Sequence, residues 1–232
     1  MGHSTPSNTA SANHDAKLEH LYAEGDSLIS TIRAGNKPRI FIISGPSGVG
    51  KDSVIDELRR VFHQAKYVVT ATTRPIRKNE TDGVHYIFLT KEEFRSRLDR
   101  NDFIEHAPVY DNYYGVPRSP IVEGLEAGQD VIIKVDVQGA DTLRKKIRNT
   151  ISIFLCPESM PALEKRLRDR KTEDPNVLMK RFETATKELK AVENFDYVVF
   201  NEDGQLPRAI NEIINIVGIE HNKVHQPDIV LP

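Results

Sequence analysis

Lys51 closes a run in which glycines recur at 45, 48 and 50, with Pro46, Ser47 and Val49 between them. Glycines at that spacing let successive backbone N–H groups turn inward around an anion, and the lysine adds a full positive charge to the cradle. The residues beyond it, Val54, Ile55, Leu58, Val61 and Phe62, recur at helical spacing, so the loop also meets the positive end of a helix. The phosphates of a nucleoside triphosphate suit such a site. The position after the lysine ordinarily carries a Ser or Thr hydroxyl that reaches Mg2+; here it is Asp52, followed by Ser53.

Other candidates lie downstream. Arg74 and Arg77 flank Pro75 on an irregular stretch, where two planar guanidinium forks can converge on one phosphate; two solvated surface arginines are the alternative. Glu105 interrupts an apolar Phe103-Ile104 run and, if buried, needs hydrogen-bonding partners. Tyr110, Tyr113 and Tyr114 suit either a core or a nucleotide pocket. The apolar run Val131 to Val135 ends in Asp136, an acid placed to act near a metal or a second substrate. The arginine-dense stretch 160–170, with Lys180-Arg181 after it, reads as a solvated charged helical hairpin or as a mobile cover. As a cover, Arg166, Arg170 and Arg181 would neutralise charge on a transferring phosphoryl group.

The 232 residues suffice for one substantial core with insertions. A hydrophobic share of 38% and a charged share of 28% describe an ordinary globular protein, and a net charge of −2 gives no sign of a nucleic-acid partner. A single cysteine, Cys156, excludes an internal disulfide framework and fits a reducing cytoplasm. No apolar run approaches the length of a bilayer span, so neither a membrane partner nor a membrane location is expected.

These candidates need a scaffold. Residues 1–15 are small and polar and are expected to be disordered; 17–33 predict an amphipathic helix interrupted at Gly25, packing on the domain or on a second copy. From 40 onward apolar runs alternate with helical patterns. Ile40–Ser44, Tyr67–Ala71, Gly83–Leu89, Val131–Asp136, Thr150–Leu155 and Tyr197–Phe200 are predicted strands, and the aromatic, acidic stretch Asn101–Gly115 reads as strands lining a pocket. Thr90 with Glu93 marks a helix start, and Gln205 to Val217 predicts a closing helix. This alternation implies an α/β fold with a parallel sheet flanked by helices and the phosphate loop at its carboxyl edge. Residues 221–232 are expected to be a flexible tail.

From about Arg39 to Val217 the chain resembles the guanylate kinase family. The resemblance rests on Gly45 to Lys51, Thr72-Thr73-Arg74 with Arg77, Gly83-Val84-His85-Tyr86, Phe103-Ile104-Glu105, Asn112-Tyr113-Tyr114-Gly115, Asp136-Val137-Gln138-Gly139, and Arg166-Leu167 with Arg170 and Lys180-Arg181. It implies a P-loop NTPase core over 37–220, an inserted GMP-binding subdomain at about 72–120 and a helical lid at about 158–190. It further implies an ATP site of residues 45–53, Arg166 and Asn201. Thr70, Arg74, Arg77, Tyr86 and Tyr114 would hold the GMP phosphate, Glu105 and Asp136 would read guanine, and Mg2+ would accompany ATP. Lys51, Arg77, Arg170 and Arg181 would act in catalysis, and Asp52 would hold the metal directly or through water. Val116 stands where the family often has a hydroxyl. A non-catalytic protein-binding module of the same fold and a P-loop sugar-phosphate kinase are the alternatives.

A second departure accompanies Asp52. The family commonly has an acid at position 134, and this chain has Lys134, two residues before Asp136 and on the same strand face. The two departures are expected to pair, Asp52 facing Lys134.

Overall fold

The computed structural model describes residues 8–78, 80–109, 111–168 and 175–232. Met1–Lys37 and Pro38–Pro232 form separate bodies. The first consists of α1 (Asn8–Ala34), which begins earlier than the sequence pattern suggested and runs unbroken through Gly25. A lone glycine costs a helix about 1 kcal/mol relative to alanine, which weakens it without ending it.

In the second body, β1 (Ile40–Ser44) leads through the glycine loop into α2 (Lys51–Val61). Then come β2 (Lys66–Val68), β3 (Ala71–Thr72), β4 (Ile87–Phe88), α3 (Lys91–Asp99), β5 (Phe103–Val109) and β6 (Asn112–Pro117). The chain continues with α4 (Ser119–Glu126), β7 (Val131–Lys134), α5 (Val137–Lys146), β8 (Ile151–Pro157) and α6 (Met160–Arg168). It closes with α7 (Pro175–Leu189), a 3-10 turn over Lys190–Asn194, β9 (Tyr197–Asn201) and α8 (Leu206–His221).

Five strands form a parallel sheet in the order β2-β7-β1-β8-β9. All five residues of β1 are buried. Its side chains alternate between two apolar clusters: Phe41 and Ile43 join Val54, Leu58, Ile210 and Ile213, whereas Ile40 and Ile42 join Ile121, Ala140, Leu143 and Ile147. A strand covered by helices on both faces must be apolar on both, which explains the continuous Ile-Phe-Ile-Ile run. Each such side chain contributes about 1.5–3 kcal/mol by leaving water.

Residues 71–117 depart from the expected parallel pattern. They build a second sheet in the order β4-β3-β6-β5, antiparallel at β3–β6 and β5–β6. The expected strand Tyr67–Ala71 is divided between the sheets: Val68 makes the last pairing with β7, and the Thr70 hydroxyl then donates to the Lys134 carbonyl at 3.1 Å as the chain crosses over. The expected strand Gly83–Leu89 shrinks to Ile87–Phe88, because Gly83 turns at φ +75° and its N–H donates to the Tyr86 carbonyl. At α3, Thr90 and Glu93 form the reciprocal capping box.

Residues beyond α8 are tied down, contrary to the expected flexible tail. Arg39 Nη1 donates to the Pro227 carbonyl at 2.6 Å, Arg148 N–H to Val230, and Ile229 and Leu231 pack against the Ile40–Ile42 cluster. Ile229 and Leu231, partly buried against that cluster, supply the apolar contact that fixes the segment, while Val230 is exposed and pairs through its main chain. Among the described residues no helix is long and apolar enough to cross a membrane.

Candidate active site

The glycine loop leaves β1 at the carboxyl edge of the parallel sheet, where ligands of open α/β sheets bind. Gly45, at φ +146°, lies so close to β8 that an added Cβ would stand 2.4 Å from the Leu155 carbonyl oxygen. Lys51 curls back over the loop, its Nζ donating to the Gly45 and Pro46 carbonyls at 2.5 and 3.1 Å. Burial pulls the Lys51 pKa down, opposed by the nearby carboxylates of Glu188, Asp136 and Asp52. Gly50 is the N-cap of α2 and has no side chain to occupy the free N–H groups of the first turn, so these remain donors for an anion.

Helices α6 and α7 grip this loop. Ser47 N–H donates to Glu188 Oε2 at 2.9 Å, and Arg181 Nη2 donates to Ser47 Oγ at 3.2 Å. Arg181 and Glu188 are two turns apart on α7 and so share a face. Leu163 and Leu167 of α6 abut Gly48, where an added Cβ would stand 2.7 Å from Leu167 Cδ2. Arg166 and Asn201 both donate to the Val49 carbonyl, at 3.1 and 2.8 Å, and Asp203 holds the Arg166 guanidinium at 2.6 Å. Both residues therefore reach the glycine loop through its main chain. Arg170 lies outside the described residues.

On the other side, Arg74 is held by Glu80 in a two-pronged ion pair, at 2.6 and 2.7 Å, and lies over the rings of Tyr86 and Phe88. Burial disfavours the Arg74 charge, but the bonds with Glu80 and Tyr114 more than restore it and raise its pKa. Glu80 Oε2 also accepts from Arg77 N–H at 2.9 Å, so one carboxylate links both arginines. Tyr86 and Tyr114 meet edge to face at 6.0 Å. Thr70 is buried beside them.

Two carboxylates converge next to α5. Asp136 caps that helix, Oδ1 accepting from Gly139 N–H at 2.7 Å. Glu105 is only 3% exposed. Its Oε1 would lie 3.5 Å from a Cβ on Gly139, and Asp136 Oδ1 would lie 3.3 Å from the same point. Burial, reinforced by the Asp136 charge and opposed by Lys146, pushes the Glu105 pKa up to about 7. Val116 pairs with Glu105 across β5 and β6 and is fully buried, packed in the core.

Lys134 and Asp52 meet as expected, Nζ lying 2.5 Å from Oδ1. The pairing of Ile43 with Lys134 in the β1–β7 ladder brings the lysine alongside the head of α2. Its ammonium also stands 4.4 Å from the centre of the Tyr86 ring. Burial alone would lower the Lys134 pKa, but Tyr86 and Asp52 reverse this and raise it. Among the described residues no cluster of three or more His, Cys, Asp or Glu side chains could hold a metal. The loop 45–53 offers one carboxylate, Asp52, already engaged by Lys134, which fits a cation carried chiefly by the triphosphate's own oxygens.

Glu80 and Glu188 were not singled out from the sequence. Glu80 follows the arginine segment and could have been sought as its counter-ion. Glu188 lies seven residues after Arg181, a spacing that puts both on one face of a helix.

A parallel sheet with a glycine loop at its carboxyl edge, followed by a lysine folded over that loop, is the arrangement of a P-loop NTPase. The sequence model for guanylate kinase matches residues 37–217. A guanylate kinase 2 of chloroplasts and mitochondria from Oryza sativa subsp. japonica is 46% identical over 191 residues, covering 82% of this chain and 67% of that protein. A guanylate kinase from Clostridioides difficile is 39% identical over 188 residues, covering 81% and 91% respectively. The crystal structure of guanylate kinase from Anaplasma phagocytophilum superposes with a TM-score of 0.69 at 29% identity, covering 82% of this chain and 90% of that one. The chain belongs to the guanylate kinase family.

Proposed function

We propose that the protein transfers the γ-phosphoryl group of ATP to the phosphate of GMP, giving ADP and GDP. The observation that carries this reading is the pair of converging carboxylates, Glu105 and Asp136, in the same body as the Lys51 loop. Guanine presents N1–H and an exocyclic amine, two donors that match carboxylate acceptors; adenine presents an acceptor at N1 and is rejected.

The triphosphate lies on the loop 45–53, with Lys51 and the first turn of α2 on its phosphates. Arg74, Arg77, Tyr86, Tyr114 and Thr70 hold the acceptor phosphate, which exchanges for Glu80 on Arg74. A phosphate monoester is already an anionic nucleophile, so no protein base is required. The chain's work is alignment and charge neutralisation by Lys51, Arg77 and Arg181, with Arg170 added on the strength of the family resemblance. Mg2+, when bound with ATP, supplies charge neutralisation across the terminal phosphates, and Asp52 is the residue to hold it directly or through water. A cytoplasmic location is part of the proposal, supported by the lone free thiol of Cys156.

A coupled kinase assay with ATP, Mg2+ and a choice of acceptors tests the reading. GMP is expected to turn over, IMP less efficiently because it lacks the amine, and AMP least. Folded protein that phosphorylates none of them would leave a non-catalytic binding module of the same fold.

A further inference from the structure

We propose that Lys134 is a positioning residue that links the donor and acceptor phosphate sites, so that binding of one nucleotide strengthens binding of the other. The inference rests on the assignment above of Asp52 to the donor side and of Tyr86 and Thr70 to the acceptor side.

Lys134 ends β7, the strand lying between β1, which carries the donor loop, and β2, whose chain continues to Thr70. Three contacts radiate from this one residue. Its Nζ lies 2.5 Å from Asp52 Oδ1 at the head of α2 and 4.4 Å from the Tyr86 ring centre. Its carbonyl accepts the Thr70 hydroxyl at 3.1 Å. No other residue in the site touches both halves through its side chain and its main chain in this way among the contacts described. A lysine that is 9% exposed is held in one place, and its compact ammonium has three protons to distribute.

The electrostatic consequence follows from that placement. Two phosphate-bearing substrates repel one another, most strongly where water is excluded. Asp52 alone would add to that repulsion; the Lys134 charge, paired with it, offsets that addition. Acceptor phosphate contacting Tyr86 and Thr70 fixes the lysine, and the lysine fixes the carboxylate beside the donor phosphates. Thermodynamic linkage makes the effect reciprocal.

Titration calorimetry measures it directly. GMP affinity is determined with and without a saturating non-transferable ATP analogue and Mg2+, and the analogue's affinity with and without GMP. The wild-type chain is expected to show equal enhancement in both directions, at least about fivefold. Lys134→Met is expected to reduce the factor to near one, and Lys134→Arg to retain part of it. A coupling factor unchanged in Lys134→Met, or absent from the wild type, overturns the proposal. Tyr86→Phe separates the two layers: if it leaves GMP affinity unaltered, the acceptor-site assignment fails and the proposal falls with it. If it weakens GMP while Lys134→Met keeps full coupling, only the link fails. Should Lys134→Met not fold, Asp52→Asn cuts the same link from the donor side and is expected to lower the coupling alike; undiminished coupling there also overturns it.

Discussion

Glu105 titrates near neutrality because it is buried beside the Asp136 charge, and its ionised form, with both oxygens as charged acceptors, would accept the guanine N1–H and amine hydrogen bonds far more strongly than the neutral carboxyl. GMP affinity is therefore expected to fall roughly tenfold between pH 8 and pH 6, as the ionised fraction drops around a pKa of about 7. Calorimetry across that range checks it, with Glu105→Gln retaining only the part due to protonation of GMP itself. For stability the sign is reversed from that of a salt-bridged carboxylate. The folded pKa lies above the ordinary 4.5, so the native state holds the extra proton and stability declines as pH rises from about 4.5 to 7. Glu105→Gln is accordingly expected to be more stable than wild type at pH 8, by about 1–3 kcal/mol in a denaturant titration, while losing GMP affinity. The Asp52–Lys134 pair yields a second expectation at this scale: Lys134→Asp alone damages activity more than Lys134→Asp combined with Asp52→Ser. Strictly additive losses in that double-mutant cycle would show the two residues to be independent. This pair was legible from the sequence because both positions depart from the pattern of the resembled family, in whose fold the helix after the phosphate loop adjoins this strand. Glu80 was not, because a counter-ion within an irregular segment leaves no periodic trace, and Glu188, though seven residues from Arg181 on one helix face, is one of several charges in that stretch.

The element that governs the loop from outside is α7. Through Glu188 on Ser47 N–H and Arg181 on Ser47 Oγ it holds one loop residue at two points. Glu188→Ala is expected to raise KM for ATP several-fold with a smaller effect on KM for GMP. Hydrogen exchange at the loop should quicken, since a hydrogen bond to a charged group is worth about 1.5–3 kcal/mol. Equal rises in both KM values would show that α7 does not act on the donor loop selectively. Gly48 tests the opposite face: at φ +88° and 2.7 Å from Leu167 Cδ2, Gly48→Ala is both strained and crowded. A loss of at least about 2 kcal/mol is expected in equilibrium unfolding. Elements with a strong local signal were readable in advance, namely β1, α2 and the capped start of α3. The division of residues 67–72 between two sheets was not, because it depends on the Thr70 bond to Lys134, a partner 64 residues away.

On the scale of the whole molecule, the carboxyl ends of β1, β7 and β9 deliver the donor loop, Lys134 and Asn201 to one edge of the parallel sheet. The segment after α8 instead braces the start of β1 through Arg39. Removing residues 227–232 is thus expected to lower stability by a few kcal/mol, from the lost packing of Ile229 and Leu231, without changing KM for either nucleotide. A changed KM would reveal communication across the sheet. The parallel sheet was foreseeable from alternating apolar and helical segments; the bracing segment was not, since three apolar residues carry no period. The position of β1 also has a temporal meaning. Ile42 lies opposite Ile133 on one side and Ser152 on the other, about 90 and 110 residues later in the chain. During synthesis the glycine loop precedes β7 and β8 and has no scaffold until both have emerged, and closing such distant pairings is slow. A chain stalled before β7 should leave its ATP-binding sequence complete but unable to retain nucleotide.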